Sequence, residues 1–536
     1  MNQMSQLQKA RLQFQPVLPS ILKELLSLDC TDAKSASFAQ DIKNIFPKLA
    51  LQEGVSITKG AARNSAILRV GIVLSGGQAS GGHNVVAGVF DALKTLNPQS
   101  ELIGFLNGPS GIVNNQTKPI TEELLSLYRN QGGFDIIGSG RTKIETTEQF
   151  ASSLRTVRTL NLDGLVVVGG DDSNTNAAFL AEYFLANGCK TKVIGVPKTI
   201  DGDLQNASIE MSFGFDSACK IYSETIGNIC RDALSAKKYY YFIKLMGRSA
   251  SHITLECALA TQANFALIGE EVQQQQKTLA EIVGSIADLI VERKKQGKEY
   301  GVILIPEGII EFIEDCKSLI AELNTLLATV SDTQAIVKQL SAQSAATFSA
   351  LPQEIQQQLL LDRDPHGNVQ VSKIETEKLF IALVELELAQ RKKAGAWNGK
   401  FTAQPIFCGY EGRSCLPSNF DCNYCYALGV LTALLIARNK TGYIVSFKDI
   451  AKSPHEWQPA PVLLPTMIHM EERGGKQKAV ISKTLVDLQG KVFKHFKTMR
   501  NTWRLDDCYL QPGPIQFWGP DEIVNRIAQT ITLSHA

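Results

Sequence analysis

Two stretches of this chain end an apolar run in glycine or proline and then release carboxylates. One is Val166-Val167-Val168-Gly169-Gly170-Asp171-Asp172-Ser173. The other is Val193-Ile194-Gly195-Val196-Pro197-Lys198-Thr199-Ile200-Asp201-Gly202-Asp203. Unbroken apolar runs of this length read as buried parallel strands, and open α/β sheets bind their ligands beyond the carboxyl ends of such strands. A carboxylate placed after two glycines and just before a helix can hold Mg²⁺ directly or through water, which makes Asp171 the candidate metal ligand. Asp201 and Asp203 flank Gly202, so both can point into one cleft. There one carboxylate takes the proton of an attacking hydroxyl while the other orients metal or water. Lys198 supplies positive charge for a phosphoryl group in transfer, with Thr199 beside it. The set reads as a magnesium-phosphate site. The bland alternatives are that Asp171, Asp172 or Ser173 caps a helix and that Asp201-Gly202-Asp203 is a plain turn.

Such loops need a sheet to aim them. Leu68 to Leu74 is a third apolar run, and it opens into the glycine loop Ser75-Gly76-Gly77-Gln78-Ala79-Ser80-Gly81-Gly82. Val85, Val86, Val89, Phe90 and Leu93 then share one helical face. Glycine loops that open helices cradle phosphate, because bare backbone N–H groups and the helix dipole face the anion. No Gly-Lys-Ser/Thr follows, so this is not a Walker A loop, and no acidic residue sits where a dinucleotide ribose needs one. Strands alternating with helices predict α/β architecture with doubly wound parallel sheets. Tyr239 to Leu245 and Tyr300 to Ile305 read as strands of a second such domain, ending in Met246-Gly247-Arg248 and Pro306-Glu307-Gly308. The expected organisation is a helical N-terminal extension over 1–65 and a phosphate- and metal-binding α/β domain over 66–210, completed by part of the C-terminal region. A second α/β domain is expected over 211–309 and 401–440, with a helical insertion over 310–400 and a C-terminal region over 441–536.

Composition excludes some partners. Lys and Arg total 54 against 53 Asp and Glu in 536 residues, so no global field favours nucleic acid or a membrane surface. The strongest apolar run, Tyr426 to Ala437, falls short of the roughly 20 residues that span a bilayer. The polar start lacks the apolar core of a signal peptide, and a cytoplasmic protein is expected. The 11 cysteines have no regular spacing and do not read as a disulfide framework. Cys408, Cys415, Cys422 and Cys425 could form a zinc knuckle or be reduced cysteines in a loop entering a helix.

Taken together, these motifs resemble the phosphofructokinases, and within them the long-chain pyrophosphate-dependent branch. The resemblance rests on Gly169 to Ser173, Pro197 to Asp203, Met246-Gly247-Arg248, Pro306-Glu307-Gly308 and Gly409-Tyr410-Glu411-Gly412-Arg413, in that order along the chain. It implies reversible phosphoryl transfer from pyrophosphate to the 1-hydroxyl of fructose 6-phosphate, giving fructose 1,6-bisphosphate and phosphate, in glycolysis or gluconeogenesis. It implies Asp201 as the base, Thr199, Ile200 and Asp203 in the transfer site, and Asp171 on Mg²⁺. Gly77 and Arg141 would meet pyrophosphate. Met246, Gly247, Arg248 and Glu307 would hold the sugar, and Tyr410, Glu411, Gly412 and Arg413 its 6-phosphate. Lys238 and Tyr239 would reach a neighbouring subunit's site, so a homodimer or larger is implied. Asp172 and Lys198 stand where ATP-using relatives carry glycine, commonly so at the second position, and both favour pyrophosphate. The alternatives are an ATP-dependent enzyme of the same fold and a non-catalytic regulatory subunit; the retained Asp171, Asp201, Asp203 and Arg248 argue against the latter. One departure is Ala79-Ser80 in place of an alanine-proline pair, which is expected to loosen the first phosphate loop.

Overall fold

The computed structural model describes residues 4–33, 38–327, 330, 332–361, 369–473 and 476–535. The chain divides into two compact units. The first comprises Met1–Ala218, Tyr410–Thr484 and Gln516–Ile527, and the second Cys219–Gly409, Leu485–Ile515 and Ala528–Ala536.

The first unit is built on an eight-stranded sheet. Tyr443–Ile444, Lys192–Thr199, Gly164–Gly169, Arg69–Leu74 and Glu101–Phe105 run parallel in that spatial order. Val462–Leu463 and Thr117–Ile120 close its edges antiparallel. The three predicted apolar runs are its central strands, buried along almost their whole length, as a parallel sheet covered on both faces requires. Register sets where the loops emerge. Leu74 pairs with Val168, and Val168 with Val196. The Ser75 loop, the Gly170-Asp171 turn and the Lys198-to-Asp203 loop therefore leave the sheet along one edge.

The helix Gly82–Leu96 packs backbone to backbone on Asn419–Ala437: a Cβ on Gly88 would lie 2.1 Å from the Tyr426 carbonyl oxygen, and one on Gly429 would lie 2.4 Å from that of Val85. Only glycine permits that approach. By length and composition Asn419–Ala437 is long enough to cross a membrane, but its apolar window is 89% buried and it serves as a core helix. The expected boundary is corrected here, because residues 401–440 are divided. The strand Ala403–Cys408 belongs to the second unit, while this helix belongs to the first. The N-terminal extension is also less purely helical than predicted, since Leu28–Asp32 pairs antiparallel with Val55–Lys59. It is no loose appendage, for Ile42, Phe46 and Leu49 join the core under the sheet.

The second unit has a four-stranded parallel sheet in the order Phe265–Ala266, Gly301–Pro306, Tyr240–Leu245, Ala403–Cys408. The segment between Pro306 and Ala403 is helical as expected, including Glu314–Leu327 and Thr376–Lys393. Its Leu319, Leu323, Phe380 and Val384 share one buried cluster with Phe242 and Ile303 of the sheet. The insertion thus builds core as well as surface.

Candidate active site

In the first unit the glycine loop is held by the strands that surround it. The Ser75 amide donates to Val168 O at 2.8 Å, the Gly76 amide to Gly140 O at 2.9 Å, and the Ser139 hydroxyl to Gly76 O at 2.9 Å. Gly76 has φ +85°, a left-handed backbone that explains the residue type. The Ser173 hydroxyl donates to that of Ser75 at 2.8 Å, tying the loop to the first turn of the helix Asp171–Ala186. The substitution at Ser80 does not loosen the loop. Its side chain is fully buried, and its hydroxyl donates to Cys415 O at 2.6 Å.

Three cations converge on this loop. A Cβ on Gly77 would lie 3.6 Å from the Arg141 guanidinium and 3.7 Å from Arg413 Cζ, and one on Gly76 would lie 3.4 Å from Lys198 Nζ. Arg413 also lies over the Tyr410 ring, 5.1 Å from its centroid. The expected role for Arg413 was the distal 6-phosphate alone. In this structure its guanidinium lies beside the glycine loop, next to that of Arg141. Lys198 is buried, and that burial, with repulsion from Arg413, lowers its ammonium to about 8 against the attraction of Asp201, Asp203 and Asp171.

The carboxylates sit beside these cations. No carboxylate caps the helix Asp171–Ala186: the N-cap is Gly170, and Asp171 and Asp172 occupy the first turn. Burial holds the Asp171 carboxyl above its usual range, with repulsion from Asp172 and Asp203 adding to it and Lys483 opposing. Asp172 is half-exposed and pairs with Lys143 at 3.2 Å. The Asp201 amide donates to Thr199 Oγ1 at 3.0 Å, and Gly202 at φ +73° turns the chain between Asp201 and Asp203. Ile200 and Asp203 are buried, and Lys483 Nζ lies 3.9 Å from the Asp203 carboxylate. Lys143 and Lys483 escaped the sequence reading, as neither lies in a recognisable motif.

In the second unit, Leu245 pairs with Pro306 on one side and Cys408 on the other, so Met246-Gly247-Arg248 and Glu307-Gly308 leave at one edge. They abut: a Cβ on Gly308 would fall 1.8 Å from the Arg248 carbonyl oxygen. Met246 and Glu307 are buried, and Arg248 is exposed. Lys238 and Tyr239 lie at the opposite end of the Tyr240–Leu245 strand, with the Lys238 ammonium 5.0 Å from the Tyr239 ring centroid. Of the cysteines weighed for zinc, Cys422 accepts from Arg11 at 2.9 Å and Cys425 packs against Gly81, both as free thiols.

The phosphofructokinase family matches residues 69–357. The potato (Solanum tuberosum) pyrophosphate–fructose 6-phosphate 1-phosphotransferase subunit beta is 50% identical over 535 residues, 99% of this chain and 94% of that protein. The Treponema pallidum pyrophosphate–fructose 6-phosphate 1-phosphotransferase is 49% identical over 554 residues, covering 99% and 97%. The crystal structure of a Nitrosospira multiformis pyrophosphate-dependent phosphofructokinase shares the fold, with TM-score 0.55 at 14% identity over 79% of this chain and 86% of that one. The chain belongs to the phosphofructokinase family, in its pyrophosphate-dependent branch.

Proposed function

We infer that this chain transfers a phosphoryl group from pyrophosphate to the 1-hydroxyl of fructose 6-phosphate, and that the reaction runs in both directions. The observation that carries the reading is the convergence of Arg141, Arg413 and Lys198 on Gly76-Gly77, at a sheet edge that also releases Asp171, Asp201 and Asp203. Asp201 takes the proton of the 1-hydroxyl. The freed oxygen attacks the nearer phosphorus, and the bond to the bridging oxygen breaks. Phosphate leaves as the second product. Lys198, Arg141 and Arg413 stabilise the charge that spreads over the transferred group, in a site where burial strengthens each interaction.

Magnesium fits Asp171. Burial and neighbouring carboxylates destabilise that anion, and a divalent ion there relieves both. Among the described residues no group of three or more potential ligands forms a ready-made cage. Magnesium takes one or two carboxylates and completes its shell with waters and substrate phosphates. When bound, it supplies neutralisation of the phosphate oxygens.

Asp172 fills the space that a nucleotide's inner phosphate would need, and Lys198 serves a donor that has no adenosine handle. Met246, Gly247, Arg248 and Glu307 hold the sugar. Lys238 and Tyr239, at the far end of the strand from Arg248, serve a second copy of the chain, as the family resemblance implies. A coupled assay with pyrophosphate, ATP and GTP as donors tests the assignment. Turnover with pyrophosphate alone is expected, and faster turnover with either nucleotide overturns it.

A further inference from the structure

Lys483 lies outside every motif that identifies the family, yet it is held in place from both sides. The strand Lys476–Ile481 ends two residues before it, and the Ile481 amide donates to Thr175 Oγ1 at 3.1 Å, on the helix that carries Asp171. One residue after it, the Thr484 amide donates to Asp203 O at 2.7 Å, and the Thr484 hydroxyl donates to Gln205 O. The C-terminal strand is thereby pinned to the two elements that present Asp171 and Asp203. The Lys483 ammonium lies 3.9 Å from the Asp203 carboxylate, with its side chain 28% exposed and that of Asp203 8% exposed. The charge of Lys483 also opposes the burial and repulsion that raise the Asp171 carboxyl.

We propose that Lys483 is a donor-binding residue, a lysine supplied by the C-terminal segment that contacts pyrophosphate in the forward reaction and phosphate in the reverse one. The inference rests on the transfer-site reading given under the proposed function. A pair of carboxylates set to receive a magnesium complex of a polyanion needs a cation that can turn from carboxylate to phosphate oxygen. A lysine on a flexible stem with three donors does this. Partial exposure leaves its head reachable, and the two backbone anchors fix where its stem begins. An arginine at this position would keep the charge, whereas methionine would keep only the bulk.

The test compares Lys483→Met and Lys483→Arg in steady-state kinetics in both directions, with calorimetric titration of pyrophosphate in the presence of Mg²⁺ and absence of sugar. Charge-assisted hydrogen bonds are the strong class, so Lys483→Met is expected to raise KM for pyrophosphate, KM for phosphate and the titrated Kd by about tenfold or more. KM for both sugar phosphates should stay within about twofold, and Lys483→Arg should recover most of the loss. A Lys483→Met enzyme with unchanged pyrophosphate KM and Kd overturns the proposal. Equal rises for donor and sugar that arginine does not rescue also overturn it, by assigning Lys483 a structural role. Lys198→Ala separates this from failure of the site reading. If Lys198→Ala lowers kcat steeply while Lys483→Met changes nothing, only the Lys483 proposal falls. If neither matters, the site itself is misassigned.

Discussion

The two sheets of this molecule use one device for two purposes. In each, parallel strands in matched register deliver their loops to a common edge, as Leu74, Val168 and Val196 do in the first unit and Leu245, Pro306 and Cys408 do in the second. What is delivered differs. The first edge crowds carboxylates and cations together in buried surroundings, enough to lower Lys198 and raise Asp171. The second edge offers one exposed arginine, Arg248, and one buried glutamate, Glu307, on loops that touch through Gly308. Crowded, desolvated charge is what a transition state needs, whereas a few well-spaced polar groups suffice to recognise a ground-state ligand. The contrast implies that changes at the first edge act on kcat and on donor binding, and those at the second mainly on sugar KM.

The sharpest way to break that contrast is Asp201→Asn. Loss of a general base costs about 10²–10⁴-fold in rate, and KM for fructose 6-phosphate should stay close to its original value. Steady-state kinetics decide the matter. A variant that keeps more than half of the original kcat removes Asp201 from the base's role and dissolves the contrast.

Two arginines come next. Arg248→Ala should raise KM for fructose 6-phosphate by about 10- to 100-fold, with little change in pyrophosphate KM, as expected for a lost charge-assisted contact. Arg413→Ala should raise KM for both substrates and lower kcat, because its guanidinium faces Gly77 beside Arg141. A change confined to the sugar would return Arg413 to the distal role that its motif suggests.

How much of the molecule is legible in its sequence varies with the physics of each part. Buried parallel strands write themselves as continuous apolar runs, so Arg69–Leu74, Gly164–Gly169 and Lys192–Thr199 are plain in the sequence. The glycines that release charge at their ends are equally plain, and they mark the candidate site. The direction in which the Arg413 side chain points is not legible, because a 3₁₀ turn from Tyr410 to Arg413 sets it. Lys483 is hidden for another reason: its position comes from the tertiary anchors on Thr175 and Asp203, which no local spacing encodes. The division of residues 401–440 likewise reflects tertiary packing, in which Asn419–Ala437 lies against Gly82–Leu96 of the first unit.

A smaller effect comes from pH. A lysine lowered to about 8 is charged below that value and neutral above it. With Lys198 as the cation at the phosphate loop, kcat/KM for pyrophosphate should fall about tenfold per pH unit above 8, since this ratio reports the free enzyme. Lys198→Arg keeps its charge throughout and should remove that limb, even where it lowers the maximum. A limb that persists unchanged in the arginine variant belongs to another group or to the donor itself.

The finest test asks whether donor choice within the first edge is one switch or two. Asp172 pairs with Lys143 in the first turn of its helix, while the strongest charges on Lys198 are those of Asp201, Arg413, Asp203 and Asp171. Direct coupling between Asp172 and Lys198 is therefore not expected, and any coupling must arise through the donor that both face. Asp172→Gly alone should open room for a nucleotide yet lower pyrophosphate activity more than it creates ATP activity, because Lys198 still suits the small donor. Adding Lys198→Gly should then raise ATP use beyond the product of the single effects. Residues that share a ligand show coupling of about 0.5–3 kcal/mol, and independent sites add within a few tenths. The double-mutant cycle in kcat/KM, measured with pyrophosphate and with ATP, reads this directly. Additive effects with ATP would make exclusion by Asp172 and stabilisation by Lys198 separate devices that happen to share one sheet edge.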